Sequence, residues 1–366
     1  MSGTGVERFR QKRRLPIAAP MAAFCLIALS LVAPAPAQAA GMTLRETGST
    51  LLYPLFQLWI RDYPGVAPGV SLTAAATGSG VGQREAMSGR AHIGASDAYM
   101  SDRQAQQNPQ IRNIAVAISA LTVNYNIPGL NSGGLKLDGP TLAGIYDGRI
   151  TEWDAEPIKA MNPGVNLPHQ AIVPIRRAED SGDTFVFAQF LDFSTERWED
   201  NVGYGLNVEW PGVAGERTAT GNDGMVKALA ATPNSVGYAG VSFRDAIKTA
   251  GLGTALVKNQ NGKFVLPNAE TITAGASELD SRTPPDQRLS LVFARGDRSY
   301  PLINYEYVAV SLRQPNPETA GALRHLLLWS VSLLGGNAPK YLETVGFVAL
   351  PDFIRALSEK QINLIK

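Results

Sequence analysis

The stretch IVPIRRAEDSGDTFVFAQFL, residues 172–191, holds the strand–turn–helix unit on which the fold reading rests. Residues 172–175 form a short apolar run of the strand kind, and Phe187, Phe190 and Leu191 recur at helical spacing within 185–191. Between them, Ser181-Gly182-Asp183-Thr184 is a polar turn at a helix start. The same succession appears elsewhere. Strand-like runs occupy 71–75, 91–95 and 115–124, and helical spacing marks 51–63, 319–334 and 353–363. This alternation predicts an α/β fold, a mostly parallel sheet with helices on both faces. The Gly/Asn/Ser-rich residues 129–139 and the polar residues 275–287 read as loops or lobe edges.

Composition narrows the function classes. Of 366 residues, 45% are hydrophobic and 18% charged, which is globular rather than fibrous or disordered. Residues 1–39 carry Arg8, Arg10, Lys12, Arg13 and Arg14 against Glu7, leaving 28 basic and 31 acidic residues downstream. A remainder of net charge near −3 gives no support to a nucleic-acid or anionic-membrane partner. The basic start, the apolar run 15–32 and Ala37-Gln38-Ala39 read as a secretory signal peptide cut after Ala39, with no stable membrane insertion afterwards. The single cysteine, Cys25, lies inside that run, so the mature chain of about 327 residues has no thiol and must rest on its own core. That length suggests two lobes.

Three polar turns share one property. Gly48-Ser49-Thr50, Thr77-Gly78-Ser79-Gly80 and Ser181-Gly182-Asp183-Thr184 each precede a helical segment, exposing unpaired N–H groups at its positive end beside a hydroxyl. A single such turn reads as an ordinary helix cap. Three together, with Arg176-Arg177 just before the third, read as a site for an oxyanion. Asp97, ending the small-residue run Gly94-Ala95-Ser96, would repel a fully ionised anion but accept a hydrogen bond from one that keeps a proton. Hydrogen phosphate keeps one at neutral pH, and sulfate does not.

At this point the mature chain resembles the periplasmic phosphate-binding proteins of bacterial ABC-type phosphate importers. The resemblance is carried by the three turns, Gly94-Ala95-Ser96-Asp97, Asn126-Ile127-Pro128-Gly129-Leu130, Leu142-Ala143-Gly144-Ile145-Tyr146, Ile150-Thr151-Glu152-Trp153-Asp154, Asn162-Pro163-Gly164, Arg176-Arg177 and Gly221-Asn222-Asp223-Gly224. It implies a two-lobed "Venus flytrap" of the type II periplasmic-binding-protein fold, with inorganic phosphate in the cleft and a membrane permease as partner. Lobe 1 would comprise 40–122 and a return segment 303–366, and lobe 2 would comprise 123–302. The implied role is that of a monomeric periplasmic receptor, not an enzyme, without cofactor or metal. The implied ligand shell is the Thr50 hydroxyl, the Leu51 N–H, Ser79, Asp97 as proton acceptor, Arg177 as cation, Ser181 and the N–H groups of Gly182 and Asp183. Glu179 would support Arg177 where the family commonly has Asp.

Asp183 departs from the family, which usually has Thr there and so a donating hydroxyl. Two readings stay open. In one, Asp183 caps the helix start and turns away from the cleft. In the other, it is a second acceptor beside Asp97, favouring a more protonated phosphate or a phosphorylated compound. Other classes remain as alternatives. Gly94-Ala95-Ser96-Asp97-Ala98 is one residue short of a nucleophile elbow, with only His92, His169 and His325 as bases for a secreted phosphate-ester hydrolase. Another oxyanion is the rival within the binding class.

Overall fold

A computed structural model describes residues 41–366; the signal-peptide reading and Cys25 lie outside the described residues. Its strands are β1 (Met42–Gly48), β2 (Val70–Thr73), β3 (Ile93–Ser96), β4 (Ile111–Asn126), β5 (Lys136–Leu137), β6 (Val173–Arg177), β7 (Arg217–Ala219), β8 (Ser235–Gly240), β9 (Gly253–Thr254), β10 (Leu256–Lys258), β11 (Phe264–Val265) and β12 (Ile303–Ser311). One sheet runs β2-β1-β3-β12-β4-β8-β6-β7 with β9 added on β4, and a small sheet runs β11-β10-β5.

The α/β expectation holds, with the parallel pairing concentrated in two wings. β2, β1 and β3 pair in parallel at one end, and β8, β6 and β7 do so at the other. The wings are joined by β12 and β4, which run antiparallel to each other and to their neighbours. β4 is the shared element. Its residues from Ile111 to Ala120 pair with β12, and those from Leu121 to Asn126 pair with β8. Ile114 through Tyr125 are buried throughout, as expected of a strand covered on both faces.

Helical spacing places the helices correctly. Tyr53–Asp62 takes Pro54 in its first turn, where no intrahelical N–H bond is lost, and buries Leu55, Phe56 and Trp59. The Trp59 indole N–H donates to the Gly336 carbonyl at 3.0 Å, satisfying the polar edge of a buried ring. Pro317–Val331 and Asp352–Ile362 match the two expected C-terminal helices. One loop expectation fails at its start. Residue 275 lies inside the helix Ala269–Ser277, where Ile272, Gly275 and Ala276 are buried, and the absent side chain of Gly275 lets the helix approach Ile303. Polar composition concealed that apolar stripe.

Candidate functional site

The three turns meet. At the first, β1 ends at Gly48 with φ +144°, and a Cβ there would lie 2.0 Å from the Ala95 carbonyl oxygen, so only glycine lets β1 turn this tightly over β3. Ser49 then caps the following turn: its hydroxyl accepts from the N–H groups of Leu51 at 3.1 Å and Leu52 at 3.0 Å, and donates to Asp97 Oδ1. The Leu51 N–H expected at the ligand is therefore engaged by Ser49. Thr50 points to the opposite wing, where its hydroxyl oxygen accepts from Asn222 Nδ2 at 2.8 Å and from Arg177 Nη2 at 3.3 Å.

The second turn opens the helix Ser79–Met87. Ser79 Oγ donates to Asp97 Oδ2 at 3.1 Å and accepts from the Asp97 N–H at 3.2 Å, so Asp97 is held from two turns at once. The next N–H, of Gly80, reaches across to the Asp180 carbonyl at 3.1 Å, which ties the second turn to the third.

The third turn begins where β6 ends. Strand alternation sends Arg176 and Arg177 to opposite faces. Arg176 pairs with Glu216 at 2.9 Å over the Trp210 ring, while Arg177 is buried with its N–H on the Tyr238 hydroxyl at 3.2 Å. Ser181 caps the helix Gly182–Ser194, accepting from the Asp183 N–H at 3.1 Å and the Thr184 N–H at 3.4 Å. The cap is Ser181, not Asp183, and the Asp183 side chain does not turn away. Asp183 Oδ2 accepts from Arg177 Nη1 and from Asn222 Nδ2 at 2.8 Å, whereas its Oδ1 is buried without a partner. Arg177 Nε and Nη2 go to Glu179 Oε1, which also accepts from the Gly221 N–H at 2.9 Å.

All eight expected ligand-shell residues thus fall in one buried cluster, with Glu179 at its edge. Two contributors were not assigned from the sequence. Asn222, inside a quoted motif but without a role, bridges Thr50 and Asp183 through Nδ2 and takes the Gly240 N–H on Oδ1 at 2.7 Å. Glu306, from β12, lies behind Asp97 and accepts from Ser119 Oγ at 2.5 Å and Asn304 Nδ2 at 3.1 Å. The signal available for Asn222 was an Asn two residues before Gly224 at a helix start; for Glu306 it was an acid inside an apolar strand.

The electrostatics are strained toward the acid side. One guanidinium serves Asp183 and Glu179, with Asp97 close by. Burial works against the Arg177 charge, but Asp183 and Glu179 hold its pKa above the ordinary value. Burial would raise Glu179, and Arg177 overcomes this to hold it low. Asp183 is pushed up to about 7 by burial, with Arg177 opposing and Asp97 reinforcing the shift. Glu306 is driven well above the usual range by burial first and by the nearby Asp97 second.

The nucleophile alternative finds no base. Ser96 Oγ donates to the Ala98 carbonyl at 2.6 Å, while His92 accepts from the Arg45 N–H, His169 lies between Glu152 and Asp154, and His325 meets the Tyr63 hydroxyl. Glu152 and Asp154, both half-buried, and the exposed His169 also form a small group of metal-ligand type, in which Lys159 already pairs with Asp154.

Comparison with known proteins agrees with this architecture. A family model for the PBP superfamily domain matches residues 33–332. The phosphate-binding protein PstS of Methanocaldococcus jannaschii is 32% identical over 351 residues, covering 88% of this chain and 86% of the relative, and that of Xylella fastidiosa strain 9a5c is 28% identical over 322 residues, covering 88% and 85%. Among solved structures, a high-affinity periplasmic phosphate-binding protein (PfluDING) bound with phosphate superposes with a TM-score of 0.67 at 20% identity, covering 86% of this chain and 92% of that one. The ancestral soluble variant of the human phosphate-binding protein gives a TM-score of 0.68 at 19% identity, covering 88% and 98%. Fold, converging turns and sequence kinship together place the chain in the PBP superfamily, among the PstS phosphate-binding proteins.

Proposed function

We propose that this protein is an extracytoplasmic receptor that binds inorganic phosphate between two lobes and delivers it to the permease of an ABC importer. The observation that carries the reading is the convergence of three helix-start turns on Asp97 and Arg177, far apart in sequence and all buried. Helix-start N–H groups and hydroxyls favour a tetrahedral anion, Arg177 supplies charge, and Asp97 accepts the proton that distinguishes phosphate from sulfate.

In this reading Thr50, Leu51, Ser79, Asp97, Arg177, Ser181, Gly182 and Asp183 form the ligand shell, the Leu51 N–H leaving Ser49 and the Asp183 N–H leaving Ser181 to meet the anion, with Glu179 and Asn222 orienting Arg177 and Asp183. The lobes meet along β4, lobe 1 comprising 40–122 and 303–366 and lobe 2 comprising 123–302; the change of pairing partner at Leu121 supports that division. Phosphate replaces water with fixed dipoles from both lobes, so the closed form is favoured and presents itself to the permease. Export to the periplasm as a monomer, by a signal peptide removed after Ala39, completes the reading. Among the described residues no helix is long and apolar enough to cross a membrane.

Calorimetry on the mature protein tests this directly. Phosphate should bind, arsenate should compete and sulfate should not; equal retention of sulfate, or no phosphate binding in any buffer, defeats the reading. A second reading, a small phosphate monoester, is favoured by one observation: beside the third turn lies a cavity of about 780 Å³ with Tyr99, Phe185 and Tyr204 in its lining, room for an ester's organic group, although Asp102, Asp180 and Asp286 also line it and two of them pair with Arg288. A nonhydrolysable monoester that displaced phosphate would support it.

A further inference from the structure

We propose that Asp183 is a built-in counter-anion for Arg177 which phosphate displaces, and that binding takes up one proton, held between the Asp183 carboxyl group and the incoming anion. The proposal rests on the phosphate reading above and deepens it by naming the ionic form that is bound.

The geometry is that of an anion site already served by one of its own side chains. Asp183 Oδ2 receives two donors that point into the cluster, Arg177 Nη1 and Asn222 Nδ2. Asp183 Oδ1 is buried with no hydrogen-bond partner, an acceptor with nothing to accept. Every element packed on Asp183 can be counted for charge. β6 brings Arg177, the loop after it Glu179, the end of β3 Asp97 and the start of the helix Gly221–Ala230 the neutral Asn222. β8 brings Tyr238, whose hydroxyl meets Thr184 and whose pKa burial raises to about 12; β12 brings Glu306 behind Asp97. One cation, Arg177, is therefore set among four carboxyl groups: Asp183, Glu179, Asp97 and, behind Asp97, Glu306.

A hydrogen phosphate dianion placed beside an ionised Asp183 would set oxygen against oxygen with no proton between them. Asp97 can accept only the one proton that the dianion carries. A second proton resolves the conflict. Receptor carboxylate, hydrogen phosphate dianion and one proton from solvent combine into a single complex, which is the same complex whether dihydrogen phosphate meets carboxylate or hydrogen phosphate meets carboxylic acid. The elevated pKa of Asp183 is the energetic counterpart of this arrangement, since a group poised near neutrality takes up that proton readily.

The test is calorimetry of inorganic phosphate at about pH 8 in buffers of different ionisation enthalpy, on the native protein, Asp183→Asn and Asp183→Thr. The native protein should take up about one proton per phosphate and the variants about none. Between about pH 7.5 and 9 native affinity should fall about tenfold per pH unit while that of the variants stays nearly level. The isosteric Asn variant carries the comparison should Asp183→Thr fail to fold by thermal melting. Native binding with no proton uptake and the variants' pH profile overturns the inference and leaves the phosphate receptor standing. Binding by the variants but by native protein at no pH also overturns it. If neither native nor variant protein binds phosphate at about pH 6, where the extra proton is freely available, the phosphate reading itself fails and this inference goes with it.

Discussion

Gly182 stands so close to Asp97 that a Cβ on residue 182 would lie 2.2 Å from Asp97 Oδ2 and 2.6 Å from Asp97 Cβ. The first helical residue of the third turn therefore rests directly on the acid held by the first and second turns. Glycine here is a requirement of close approach rather than of backbone conformation.

Gly182→Ala should accordingly disfavour the described arrangement of the turns. Overpacking of this kind costs about 1–3 kcal/mol, equivalent to about 5- to 150-fold in phosphate affinity. Calorimetry beside a thermal melt measures both; affinity within twofold of native would show that the contact is not needed for binding.

Arg177→Met should be far more damaging to stability than a surface arginine change, because it leaves the buried Asp183 and the half-buried Glu179 without their cation. The expected loss is about 3–5 kcal/mol in urea unfolding. Adding Asp183→Asn should restore part of it, since the two groups are in contact and their effects cannot be additive. Strict additivity in the double-variant cycle would contradict the pairing.

Burial, reinforced by Asp97, raises the Glu306 pKa well above the usual carboxylate range. A carboxyl group whose pKa is raised on folding favours the folded state at low pH, and that contribution is lost as pH rises from its unfolded value, about 4.3, toward the folded one. Glu306→Gln keeps the neutral shape and one donor, so its stability relative to native should improve steadily from about pH 5 to 8. A pH-independent difference between the two would mean that Glu306 is ionised in the fold.

Asn222→Ala should break the link between the wings at Thr50 and Asp183 and leave the Gly240 N–H unsatisfied. A cost of about 1–3 kcal/mol in folding is expected for the orphaned donor, together with weaker phosphate binding. Native-like affinity in this variant would remove Asn222 from the site.

Local chemistry was legible along the chain wherever the physical constraint was itself local. The strand-to-helix turns with their hydroxyls and the helical spacings of 51–63, 319–334 and 353–363 follow from residue spacing and backbone stereochemistry, which neighbours in sequence decide. The signal 275–287 misled because a buried helical stripe of Ile272, Gly275 and Ala276 was outweighed by the polar residues around it.

What the chain could not announce is where side chains from distant segments would point once brought together. Thr50 turning to Asn222, Ser49 taking the Leu51 N–H, Glu306 lying behind Asp97 and Asp183 facing Arg177 all join residues whose proximity is created by β12 and β4 packing between the two wings. The order of residues determined that helix starts with hydroxyls, one guanidinium and several acids would exist. Only tertiary packing decided that they share one buried volume, where the loss of water makes each unpaired charge costly and so sets which acids keep a proton.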